Sequence, residues 1–126
     1  MNKKKTVLIV DDEEDVLVYL STLFEDNGFE TRIAENGVIA LEIARSKKID
    51  LITLDVTMPE QSGIKTYCHL KTEQTLKDIP VIFITAVGEP IENVMSKLSV
   101  FPKPESLMSK PIDRKALISV ANEILA

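Results

Sequence analysis

Cysteine is nearly absent from this chain: Cys68 is the only one in 126 residues. That excludes an intrachain disulfide framework and a cysteine metal cluster. Histidine is equally scarce, with His69 alone, so no second His or Cys stands at ligand spacing for a transition metal. Cys68 and His69 are sequence neighbours on a helical pattern. Adjacent helical residues do not face each other, which removes a catalytic Cys–His pair. The four glycines, Gly28, Gly37, Gly63 and Gly88, are too dispersed to cradle a phosphate, and neither glycine fingerprint of a nucleotide site occurs. No apolar run approaches the length of a membrane span. The start, Met1-Asn2-Lys3-Lys4-Lys5, imitates the basic region of a signal peptide. The apolar run after it is only Val7 to Val10, and Asp11-Asp12-Glu13-Glu14-Asp15 follows at once, unlike a secretory signal. Positive charge is in deficit, with a formal net charge of -5, which argues against a nucleic-acid surface. The expectation is a cytoplasmic protein that binds neither membrane nor nucleic acid directly.

What is present suits one soluble domain spanning residues 1–126, with 44% hydrophobic and 28% charged residues. Short apolar runs alternate with helical patterns along the whole length. Strands are expected over 6–10, 30–34, 51–54, 81–84 and 107–109. The helices between and after them are expected from the acids 13–15 to about 27, from 38 to about 48, over 64–71, over about 91–98 and over about 114–125. Gly28 supplies a stop for the first helix, and Asp113 a cap for the last. Pro59 and Gly63 favour a turn after the third strand. Within the first helix, Val16, Leu17, Leu20, Leu23 and Phe24 form the apolar stripe. Val18 and Tyr19 fall outside it, near the acidic pair, as a candidate docking face. Five strand–helix alternations imply βαβ units and a parallel sheet with helices on both faces.

The central stretch is Leu51-Ile52-Thr53-Leu54-Asp55, a run suited to a strand buried on both faces and ending in one carboxylate. In an open parallel sheet, chemistry sits at the carboxyl ends of the strands. Asp55 there is a candidate nucleophile or metal ligand; a strand-end Asp that caps a turn is the plain alternative. Other polar groups end other strands: Asp11 and Asp12 the first, Thr85 the fourth, Lys110 the fifth. If the acid-bearing strands are neighbours, three carboxylates cluster and repel, and a divalent cation relieves them. An all-oxygen, acid-rich set suits Mg²⁺. Lys110 could meet a phosphate oxygen as a point charge, and Thr85 offers a hydroxyl. In that setting Asp55 could accept a phosphoryl group, a transfer that depends on positioning and charge neutralisation.

These residues resemble a response-regulator receiver domain of two-component signalling over essentially the whole chain. The likeness rests on Leu8-Ile9-Val10-Asp11-Asp12, on Leu54-Asp55-Val56-Thr57-Met58-Pro59 with Gly63, on Ile84-Thr85-Ala86 and on Ser109-Lys110-Pro111. It implies a doubly wound, flavodoxin-like α/β fold: a five-stranded parallel sheet in order 2-1-3-4-5. It implies Mg²⁺ held by Asp12, Asp55 and the backbone carbonyl of Thr57, with Asp11 acting mainly through water. Asp55 would take phosphate from a sensor histidine kinase or a phosphotransfer protein, and Thr85 and Lys110 would bind the phosphoryl oxygens. The result would be a switch for a downstream protein target rather than a turnover enzyme.

Two departures from the family pattern stand out. Leu107 occupies the place, three residues before the Lys, where receivers usually carry Tyr or Phe. The preceding segment, Val100-Phe101-Pro102-Lys103-Pro104-Glu105-Ser106, replaces a short Gly-Ala-Asp type connection and is stiffened by two prolines. With the fourth helix it forms an expected output face. Thr57 and Val87, at positions that govern water access in the family, carry no acid or amide, so slow self-dephosphorylation is expected. A small Mg²⁺ phosphatase would want an acid where Thr57 stands, as proton donor. A receiver-like module that binds partners without phosphorylation is the principal alternative.

Overall fold

The computed structural model describes residues 3–98 and 100–126. Five strands, β1 (Thr6–Val10), β2 (Glu30–Ala34), β3 (Leu51–Asp55), β4 (Val81–Thr85) and β5 (Ser106–Ser109), form one sheet in the order β2-β1-β3-β4-β5. Every pairing is parallel, with Val10 opposite both Ala34 and Leu54, Asp55 opposite Ile84, and Thr85 opposite Ser109. The doubly wound order expected from the sequence is therefore observed. Because the strands run in register, the residues at their carboxyl ends fall along one edge.

The helices are α1 (Glu14–Asp26), α2 (Gly37–Ser46), α3 (Ser62–Thr72), α4 (Ile91–Met95) and α5 (Arg114–Leu125). Side chains alternate across each strand, and the core divides accordingly. Val7, Ile9, Leu51, Ile82 and Ile84 pack with Leu17, Leu20 and Phe24 of α1 and Leu117 and Ala121 of α5. Leu8, Val10, Ile52, Leu54, Val81 and Phe83 pack with Ala40 and Ala44 of α2, Ile64, Tyr67 and Leu70 of α3, and Val94 of α4. Central strands β3 and β4 are buried throughout. The edge strand β2 exposes Glu30 and Arg32, charges that blunt pairing with another sheet edge.

Local signals place the ends. Gly28 sits at φ +89°, where glycine carries no steric cost, and closes α1. Asn36 caps α2 by accepting from the Ile39 N–H at 2.9 Å, and Asp113 caps α5 by accepting from Ala116 at 3.1 Å. Two expectations need correction. Gly63 is not a turn residue: it lies inside α3, and Pro59 instead opens a short 3₁₀ turn, Pro59–Gln61, before that helix. The fourth helix is shorter than expected, ending at Met95 instead of 98. Its chain tightens there, with Lys97 N–H donating to Val94 and Leu98 N–H to Met95, three residues back. Such 3₁₀-type bonds commonly finish a helix. Among the described residues, no helix is long and apolar enough to cross a membrane.

Candidate phosphoacceptor site

Asp11 and Asp55 end neighbouring strands, and both are buried, at 1% and 3% exposure. Asp12 follows Asp11 and faces solvent. One carboxylate oxygen from each of the three lies within 4.8 Å of the others. Lys110, one residue beyond β5, reaches across this edge. Its ammonium lies 3.1 Å from Asp11 Oδ2, 3.2 Å from Asp55 Oδ2 and 3.4 Å from Glu13 Oε1. The Lys110 N–H donates to the Thr85 carbonyl at 2.8 Å, fixing where the lysine leaves the sheet, and the Lys110–Pro111 peptide is cis.

The two oxygens of Asp55 have different surroundings. Oδ1 accepts from the Thr57 N–H at 2.8 Å and the Thr57 hydroxyl at 2.7 Å. Oδ2 accepts from the Lys110 ammonium at 3.2 Å. Asp11 Oδ1 accepts from the Glu13 N–H at 2.9 Å, which orients the carboxylate where the chain turns into α1. Thr85, 1% exposed, has a buried hydroxyl with no hydrogen-bond partner. A buried, unpaired hydroxyl at a sheet's carboxyl edge is available to an incoming oxygen.

Burial pushes Asp11 up to about 6; the charge of Asp55 adds to this, while the Glu13 N–H and Lys110 oppose it. For Lys110, burial alone would favour the neutral amine. The hydrogen bond to Asp11 and the charges of Asp55 and Asp11 outweigh that and raise its pKa. One lysine thus partly neutralises a cluster of three acids. The residual excess of negative charge and the all-oxygen donor set fit a hard divalent cation, Mg²⁺ above the softer metals.

Gly63 explains how α3 can start here. A Cβ at Gly63 would stand 2.1 Å from the Asp55 carbonyl oxygen and 2.7 Å from the Val56 Cα. Only a glycine lets the first turn of α3 rest on the backbone of Asp55 and Val56. Beside Asp12 a shallow cleft of about 530 Å³ is lined by Leu17, Ile33 and Ile39 as well as Glu14. A larger one, about 860 Å³, lies away from the acids between α1 and α5, against Leu23, Arg114, Ile118 and Asn122.

The family model of the response regulator receiver domain matches residues 7–122. The chain belongs to this family. It is similar to the polar-differentiation response regulator DivK of Brucella anthropi, 42% identical over 82 residues, which covers 65% of this chain and 67% of that protein. It is 29% identical to protein PilH of Pseudomonas aeruginosa across 95% of this chain and 97% of the relative. Among solved structures, the chemotaxis protein CheY4 of Vibrio cholerae superposes with a TM-score of 0.86 at 24% identity, covering 98% of this chain and all of that one (100%), a likeness of fold.

Within this receiver the structure brings together Asp11, Asp12, Asp55, Thr57 and Lys110, and sets Thr85 on the same edge. Two contributors escaped the sequence reading. Glu13, by sequence pattern a first-turn acid, also reaches Lys110 with its carboxylate. Gly63, a turn signal by sequence, carries no pattern that reveals its place against the Asp55 backbone. Cys68 is half-buried and His69 exposed, away from the acids. Val18 and Tyr19 are exposed at 57% and 44%. Leu107 is half-buried against the α2–α4 side of the core.

Proposed function

We propose that this receiver accepts a phosphoryl group on Asp55 from the phosphohistidine of a sensor kinase or phosphotransfer protein in the cytoplasm. The observation that carries the reading is the asymmetry of the buried Asp55 carboxylate. Oδ1 is fixed by two donors from Thr57, and Oδ2 meets a lysine able to move with an arriving oxygen. Oδ2 attacks phosphorus, the phosphorus–nitrogen bond of the donor breaks, and the released imidazole keeps the electron pair and takes a proton from solvent. Lys110 passes from Oδ2 to a phosphoryl oxygen, and the unpaired Thr85 hydroxyl donates to another. Mg²⁺, held by Asp12, Asp55 and the Thr57 carbonyl, with Asp11 acting mainly through water, would supply charge neutralisation for the transfer. The domain furnishes the chemistry of its own modification and is a switch, not a turnover enzyme. A changed surface then alters the binding of a downstream protein target.

One feature favours the alternative, a module working without phosphorylation: Lys110 already pairs with Asp11 and Asp55. Intact mass after incubation with acetyl phosphate separates the two. One added phosphoryl group that requires Mg²⁺ and is absent from Asp55→Asn supports acceptance. No adduct on folded protein supports the alternative.

A further inference from the structure

Tyr67 is the largest fully buried side chain of this receiver, and the site chemistry does not use it. It stands on α3 one turn after Gly63, so both lie on the same inner face of the helix. At the Gly63 end that face rests on the backbone of Asp55 and Val56. At the Tyr67 end it holds two further elements. The ring meets Phe83 edge-on, centroids 4.7 Å apart, two residues before Thr85 on β4. The hydroxyl donates to the Pro102 carbonyl at 2.6 Å, in the segment between α4 and β5. Burial, then the charge of Glu105, raises the phenol pKa, which keeps Tyr67 a donor.

Among the described residues, the other hydrogen bonds to segment 101–105 lie at its ends. The Phe101 N–H donates to Leu98, and Phe101 packs on the core. Glu105 clasps Val81 twice, donating its N–H to the Val81 carbonyl and accepting the Val81 N–H on its carboxylate at 2.8 Å. Between these anchors, among the described residues, the Tyr67 hydroxyl makes the one side-chain hydrogen bond to the segment, whose Pro102 and Lys103 face solvent.

We propose that Tyr67 is a positioning residue that couples Asp55 to segment 101–105: a shift of the acceptor backbone is carried by the inner face of α3 to the Pro102 carbonyl. This rests on phosphorylation of Asp55 as read above. Coupling is read as a response at one end that depends on the link.

The experiment is hydrogen exchange of peptides covering 101–105 in the full chain, with and without acetyl phosphate and Mg²⁺. Intact mass is read on the same samples, for wild type and Tyr67→Phe. The variant keeps the ring and removes the hydroxyl; a thermal melt checks that it folds. In unmodified protein, Tyr67→Phe should raise exchange in the segment about fivefold, the loss expected for one net hydrogen bond. Phosphorylation should change wild-type exchange there. In Tyr67→Phe it should leave that exchange nearly unchanged, with equal phosphoryl incorporation in both proteins. A phosphorylation response as large as wild type's in the variant overturns the proposal. So does a phosphorylated wild type that shows no response. Absence of the adduct from both proteins overturns the reading of Asp55 and the coupling with it, and the mass readout tells that failure from the others.

Discussion

Replacing Asp11 with Asn should stabilise the metal-free protein at neutral pH. Asp11 is buried at 1% exposure beside Asp55, and its pKa rises from 3.8 to about 6 chiefly through burial. A folded-state value above the unfolded one marks stability fully present below about 3.8 and lost as pH rises through about 6. The rise corresponds to about 3 kcal/mol, and it already includes the favourable contacts with Glu13 and Lys110. Asparagine keeps the shape and an acceptor for the Glu13 N–H, and carries no charge to desolvate. Without divalent cations, Asp11→Asn should be more stable than wild type by about 3 kcal/mol at pH 7.5. At this length that is roughly 10 °C in Tm. At pH 4 the difference should shrink to below about 1 kcal/mol. Urea melts at the two pH values read both numbers. A variant less stable than wild type at pH 7.5, or a difference independent of pH, would refute the reasoning. Added Mg²⁺ should raise the Tm of wild type more than that of the variant, because a ligand bound only by the folded state stabilises it in proportion to its affinity.

Gly63→Ala drives a methyl group into the Asp55 carbonyl. It should cost about 1–3 kcal/mol in urea melts and slow the proposed phosphoryl incorporation, since α3 must lift from the Asp55 backbone. Thr53, buried at 1% between Ile9 and Ile82, has an unpaired hydroxyl like that of Thr85 but lies below the site. Thr53→Val should therefore stabilise the fold by about 1 kcal/mol without changing incorporation, which intact mass and thermal melts together check. Neither Thr57, whose hydroxyl is engaged by Asp55 Oδ1, nor the exposed Val87 can direct a water at the acyl phosphate. Isolated phosphoprotein should therefore lose its phosphate slowly, and rapid loss in a mass time course would contradict this.

The parts legible in the sequence were those fixed by local pattern. The apolar run into Asp55 could pack only as a two-sided strand, and five such strand–helix units left few topologies. Gly28 and Asp113 act at the helix ends where their chemistry suggested. The acids, Thr85 and Lys110 met because parallel strands in register deliver their ends to one edge. What stayed hidden depends on distances between elements. No spacing rule says that Gly63 faces the Asp55 backbone and not solvent, or that the Tyr67 hydroxyl finds a carbonyl 35 residues away. The early end of α4 follows from bonds that tighten its last turn, a choice that apolar periodicity does not encode. Asn36 caps α2, but Asn followed by Gly is also a turn signal, so the pair alone does not separate the two.

The most direct test locates the acceptor itself. The protein is phosphorylated with acetyl phosphate and Mg²⁺, reduced with borohydride, which converts an aspartyl phosphate to homoserine, and mapped by peptide mass spectrometry. Homoserine at position 55 alone is the expected result. Modification at Asp11 or Asp12 instead, or at no aspartate in folded protein, would contradict the assignment of Asp55 as the residue that takes the phosphoryl group.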